Sequence, residues 1–171
     1  MILLADIGAT NARFSVTTDC SQYEHCDNLK VIGSDSLEEL CNNYLNKYQL
    51  ANTVSKAVIG VAAPIIDDEV TFVNANISFS IQGLKKQLFN EGLIVINDLA
   101  LQAHAIKGLE KSELSLIGSN ERQVNGPKIL VSPGTGLGLA GITAQEIIST
   151  EAGHLNIPQK EIKIDLKKII D

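Results

Sequence analysis

The chain has 171 residues, of which 44% are hydrophobic and 20% charged, and its formal net charge is −6. Aromatics make up only 4% and Trp is absent, so the composition is that of a globular protein with an aliphatic core. The acidic balance argues against a general nucleic-acid or membrane-surface role, and no apolar run approaches the roughly 18 residues of a membrane helix.

The opening MILLADIG has no basic stretch before its short apolar run and reads as a first strand, not a signal peptide. A turn at IGATNA leads into an alternating strand, ARFSVTTD, and a third strand lies between Glu24 and Ile32. Ser36 caps a helix in which Leu37, Leu40, Cys41, Tyr44, Leu45 and Tyr48 recur at helical spacing, with Glu39 completing a capping box. KAVIGVAAP is apolar almost throughout, which suits a strand buried on both faces and ended by Pro64. IIDDEVTFVN reads as a small hairpin with Asp67, Asp68 and Glu69 at a solvated tip. Ser80 then opens a second helix carrying Leu84, Leu88 and Phe89 on one side. LIVIND is another buried strand, and LALQAHAIKGL is the helix that leaves it. Residues 1–109 therefore read β-β-β-α-β-α-β-α, a small α/β lobe with a mixed sheet.

After Gly108 the pattern changes. LSLIG, KILVSPG, LGLAGIT and EIISTEAG read as short strands, with a break at Asn125-Gly126-Pro127. This β-meander opens a second lobe over residues 110–171. The tail EIKIDLKKIID reads as a helix with Ile162, Leu166, Ile169 and Ile170 on one face, and self-association through that face is expected. Cys20, Cys26 and Cys41 have no metal-ligand spacing and read as reduced thiols of a cytoplasmic protein. His25 and His104 read as ordinary loop histidines.

The stretch VSPGTGLGLAGIT, residues 131–143, holds four glycines between Gly134 and Gly141. It lacks the Lys-Ser/Thr pair of a Walker loop. It matches G-x-G-x-x-G, but a strand follows where a dinucleotide fingerprint needs a helix. Two readings remain: a plain glycine-rich hairpin, or a strand-turn-strand whose backbone N–H groups receive an anion, with Thr135 adding a hydroxyl. The second requires another anion loop and a catalytic acid elsewhere. LADIGATNARFSV supplies the loop: Gly8 and Ala9 let the backbone approach, Thr10 and Asn11 donate hydrogen bonds, and Asp6 is placed to hold a water of a phosphate-bound Mg²⁺. VIND places Asn97 and Asp98 at the carboxyl end of a strand, where α/β sheets bind ligands. Asp98 has a bland rival role as helix N-cap. TEAGH places Glu151 and His154 beyond another strand.

These four segments, in this order and covering nearly the whole chain, resemble the ordered motifs of bacterial glucokinases, members of the hexokinase, Hsp70 and actin superfamily with its ribonuclease H-like lobes. ANISFSI also resembles the family segment before the second helix. The resemblance implies ATP and Mg²⁺ as cofactors and glucose or a similar hexose as partner. It implies Asp98 as the base that deprotonates the sugar 6-hydroxyl, and Asn97, Asp98, Glu151 and His154 as sugar ligands. It also implies phosphate loops at Asp6, Gly8, Ala9, Thr10, Asn11 and at Gly134, Thr135, Gly136. The family loop usually reads Asp-x-Gly-Gly-Thr, so Ala9 is a departure that adds a methyl where phosphate approaches. The family's enzymes are about twice this length, so the chain is expected to be an N-terminal part, inactive alone, with the adenine site beyond Asp171. The alternatives are a kinase of another hexose or an amino sugar, of the repressor/kinase type, or a non-catalytic sugar-sensing fragment.

Overall fold

The computed structural model describes residues 1–72, 77–106, 108–117, 126–133 and 137–150. Five strands form the first sheet: β1 (Ile2–Ile7), β2 (Asn11–Thr17), β3 (Glu24–Lys30), β4 (Lys56–Val61) and β8 (Gly92–Asn97). Their order is β3-β2-β1-β4-β8. The first three are antiparallel neighbours, while β1, β4 and β8 run parallel. A meander followed by parallel crossovers is the ribonuclease H-like arrangement of a mixed α/β sheet.

Alternation along β1 and β2 decides which face is covered. Leu3, Ala5, Ile7, Ala12, Phe14 and Val16 are buried. They pack against α1 (Leu37–Lys47), whose Leu37, Leu40, Cys41, Tyr44 and Leu45 are buried, and against Leu84 of α2 (Ile81–Gln87). Phe14 stacks on Tyr44 at 4.9 Å between centroids, and the Tyr44 hydroxyl donates to the His25 carbonyl. The Ser36 cap forms as expected, with Glu39 N–H donating to Oγ at 3.1 Å, but the Glu39 carboxylate accepts from Asp35 N–H, one residue before the cap.

The acidic hairpin comprises β5 (Ile65–Ile66) and β6 (Glu69–Thr71), and β7 (Ser78–Ser80) extends it into a three-stranded sheet. Its tip corrects the sequence reading. Asp68 is not simply solvated: its carboxylate accepts from the Ser80 hydroxyl and from Gln82 N–H at 2.8 Å, tying the hairpin to the start of α2. The Ser80 hydrogen bond, followed by that of Gln82, holds the Asp68 carboxyl below its ordinary range. The two histidines lie in regular elements, His25 in β3 with its ring against Tyr48, and His104 exposed on α3 (Asp98–Ile106).

The other face of the first sheet is only partly covered. β8 is an edge strand with Ile94 57% exposed, so it is not buried on both faces as its apolar run suggested. Leu4, Ser15, Cys26 and Val58 border an open cavity of about 670 Å³ on this side. α3 lies on the same face, where Leu101 meets Gly60 of β4. Its opposite side, Leu99, Ala103 and Ile106, packs against a second sheet of order β11-β10-β9. The strands are β9 (Lys128–Pro133), β10 (Leu137–Ile142) and β11 (Ile147–Thr150). The expected strand at LSLIG does not form over its described residues: a 3₁₀ turn at Lys111–Glu113 is followed by irregular chain with Leu114, Leu116 and Ile117 exposed. The residues of the proposed tail helix lie outside the described residues.

Candidate active site

Ile7, Val61 and Asn97 share one rung across β1, β4 and β8. The three parallel strands therefore end together. The chain turns at Gly8 after β1 and enters α3 at Asp98 after β8. Adjacent strands are about 4.8 Å apart, so the two segments emerge roughly 10 Å from each other, separated by one strand. This is the carboxyl end of an α/β sheet, where such folds bind ligands.

The β1–β2 turn is closed by Gly8 N–H donating to the Asn11 carbonyl at 3.0 Å. Val31 N–H donates to the Thr10 carbonyl, and Lys30 Nζ to Asn11 Oδ1 at 2.9 Å, so the end of β3 braces the turn. Ala9 is not among the residues with positive φ. The turn thus forms without the left-handed backbone that would require a second glycine. Asp6 and Arg13 are directly paired across β1 and β2, with Nη1 3.0 Å from Oδ2, on the open face of the sheet.

At the other segment, Asn97 Oδ1 accepts from Leu99 N–H at 3.0 Å and from Ala100 N–H at 3.3 Å. Asn97 is the cap of α3. The rival role for Asp98 is thereby taken by its neighbour, and Asp98 stands in the first turn, with Oδ1 accepting from Leu99 N–H at 2.8 Å. Sequence reasoning missed this cap because both residue types are good caps and only the strand boundary decides between them.

The structure thus brings Asp6, Gly8, Ala9, Thr10 and Asn11 to the same sheet end as Asn97 and Asp98. Gly134, Thr135, Gly136, Glu151 and His154 lie outside the described residues. Among the described residues no cluster of three His, Cys, Asp or Glu could hold a metal, and no helix is long and apolar enough to cross a membrane.

Sheet order and loop placement define the class: a ribonuclease H-like lobe of the actin-like ATPase superfamily. The family model described as Glucokinase matches residues 3–170. The chain belongs to the glucokinase family. It is 36% identical over 157 residues to a glucokinase of Campylobacter jejuni subsp. doylei, covering 89% of this chain and 47% of that one. The crystal structure of a glucokinase from an Antarctic psychrotroph superposes with a TM-score of 0.76 at 30% identity, covering 99% of this chain and 55% of the other. A ROK family glucokinase from Streptomyces griseus, solved with glucose and AMPPNP, shares the fold with a TM-score of 0.62 at 18% identity, over 92% of this chain and 51% of that one. The chain spans about half the length of the curated relatives it matches.

Proposed function

We propose that this chain is the catalytic-base half of a glucokinase that transfers the γ-phosphoryl group of ATP to the 6-hydroxyl of glucose. The observation that carries the reading is the shared rung of Ile7, Val61 and Asn97, which brings a turn suited to phosphate and a carboxylate to one sheet end. Asp98 accepts the 6-hydroxyl proton as that oxygen attacks the γ-phosphorus, and the bond to the β,γ-bridging oxygen breaks. Such transfers depend on positioning and charge neutralisation more than on covalent chemistry. Asn97, Glu151 and His154 are assigned to the sugar hydroxyls. Gly8, Ala9, Thr10 and Asn11 form one phosphate loop, and Gly134, Thr135 and Gly136 the other.

Mg²⁺ fits this arrangement as an ion carried by the nucleotide. Asp6 has one carboxylate oxygen on Arg13, and its side chain is 41% exposed, which leaves room to hold a metal-bound water. Glucose complexes of Balamuthia mandrillaris glucokinase and of the Streptomyces protein support the sugar, and AMPPNP in the latter supports the donor. The reading places the protein in the cytoplasm at the entry to glycolysis, without nucleic-acid or membrane partners, and self-associating. It divides the chain into a small lobe, 1–109, and the start of a large lobe, 110–171. The 171 residues alone are assigned no useful turnover, because lobe closure around sugar and nucleotide needs both halves.

The test is a coupled glucose 6-phosphate assay on the protein carried to the length of its relatives. Asp98→Asn should lower kcat by about two orders of magnitude or more, with glucose KM changed only modestly. Near-normal kcat would remove Asp98 from the role.

A further inference from the structure

Asp98 opens α3, and two leucines follow it in the first turn. They point to opposite sides, since residues two apart on a helix are separated by about 200°. Each leucine lies against a glycine backbone of a different sheet. A Cβ added to Gly138 of β10 would lie 2.7 and 2.8 Å from the two δ-carbons of Leu99 and 3.2 Å from its Cγ. A Cβ added to Gly60 of β4 would lie 2.5 Å from Leu101 Cδ2, but 3.5 Å from its Cβ and Cγ.

The two contacts differ in how they can relax. Leu101 is half-buried and borders the open cavity of about 670 Å³, so its tip can swing away from a methyl at Gly60. Leu99 is 8% exposed and packs with Ala103, Ala140 and Ile142, which are buried. Three of its atoms would be crowded at once. A methyl at Gly138 therefore displaces the start of α3 rather than a side-chain tip.

We propose that Gly138 is a positioning residue for Asp98: its bare backbone seats Leu99 and so sets where the first turn of α3 stands. The backbone around Gly138 is there for a helix, not for an anion. The catalytic meaning rests on the assignment of Asp98 above, while the structural claim stands without it.

Two measurements test the proposal. In the 171-residue chain, hydrogen exchange reads the Leu99 and Ala100 amides, which donate to the Asn97 side chain. Gly138→Ala should speed their exchange about tenfold or more while amides of β1 keep their protection, and Leu99→Val in the same chain should restore it. Unchanged exchange in Gly138→Ala, or no recovery with the smaller side chain, overturns the seat. In the protein carried to the length of its relatives, Gly138→Ala should lower kcat at least about tenfold with both KM values within about threefold, whereas Gly60→Ala keeps kcat within about twofold. A raised KM for MgATP at normal kcat would make Gly138 a nucleotide residue and refute the positioning role. A parent protein that does not phosphorylate glucose would sink the functional assignment, and the exchange measurement would still decide the seat.

Discussion

Asn97 caps α3 through an Oδ1 that accepts from Ala100 N–H at 3.3 Å. The neighbouring Asp98 stands in the first turn of the same helix, where its Oδ1 accepts from Leu99 N–H at 2.8 Å. The residue that ends β8 and the residue that begins α3 thus share the Leu99 N–H, and Asn97 also takes that of Ala100. Replacing Asn97 by Ala removes the side-chain acceptor of Ala100 N–H and one of the two that Leu99 N–H has, the other being Asp98 Oδ1. It should cost about 1 kcal/mol of stability, read as a shift in the urea midpoint at unchanged slope. Because the cap also holds the Asp98 backbone, kcat should fall along with it. An Asn97→Asp variant, which keeps a capping oxygen, should recover most of the stability. If Asn97→Ala unfolds at the parent midpoint, the cap is irrelevant to the helix.

The Asp6–Arg13 pair makes a different forecast. Its side chains are 41% and 72% exposed, so water screens the attraction. Arg13→Gln should change stability by less than about 1 kcal/mol. Asp6→Asn should be equally mild on thermal unfolding but should weaken the response to MgATP, because it takes away the carboxylate proposed to hold the metal's water. Titrating Mg²⁺ at fixed ATP reads this directly, and an unchanged Mg²⁺ requirement removes Asp6 from the site.

Asp68 gives a pH dependence with a definite sign. The hydrogen bond from Ser80, then that from Gln82, lowers its carboxyl below the ordinary 3.8. A group whose pKa is lowered on folding contributes stability that is fully present above the unfolded value. That contribution fades as pH falls below about 3.8 and through the lower folded value. The hairpin of β5 and β6 should therefore loosen from α2 in that acid window, and Asp68→Asn should flatten the acid limb of the stability profile. Parallel acid limbs in the parent and the variant would contradict the link.

Much of the fold was legible because the governing signals are local. The apolar run ILLADI and the alternation in ARFSVTT marked two strands, and Ser36 and Ser80 marked their helices by accepting from Glu39 and Gly83 N–H groups. The ribonuclease H-like lobe followed from motif order as much as from periodicity. What local pattern could not show was partnership. LSLIG has strand composition, yet among the described residues Leu114, Leu116 and Ile117 join no strand and stay exposed. LIVIN looks buried on both faces, yet β8 lies at the sheet edge and Ile94 opens to solvent. The glycine-rich stretch was ambiguous for the same reason: only the packing of α3 shows that Gly138 faces Leu99. Of the proposed site, the strand ends that bring Asp6, the Gly8–Asn11 turn and Asn97–Asp98 together were legible as strand-turn and strand-helix boundaries. Glu151, His154 and residues 134–136 are carried by resemblance and lie outside the described residues.

In the second sheet Gly138, Ala140 and Ile142 of β10 face α3, together with Leu130 and Ile147 from its neighbours. The alternate residues point away, and their register gathers Ile129, Val131, Leu137 and Ile148 on the opposite side. These four are 76%, 50%, 45% and 46% exposed, so one face of a three-stranded sheet is an open apolar surface. Surfaces of this kind find partners, and the net charge of −6 is too modest to keep copies apart at physiological salt. We expect the chain to self-associate with a concentration dependence visible in light scattering. Ile129 and Val131 lie on the same strand and face, so replacing both by Lys introduces like charge at the contact without touching the α3 side of the sheet. That variant should stay monomeric at concentrations where the parent does not, with an unchanged far-ultraviolet circular dichroism spectrum. A strictly monomeric parent would show that this face needs no cover, and a double-Lys variant that still associates would move the contact elsewhere, the partly open face of the first sheet around Ile94 being the next surface to substitute.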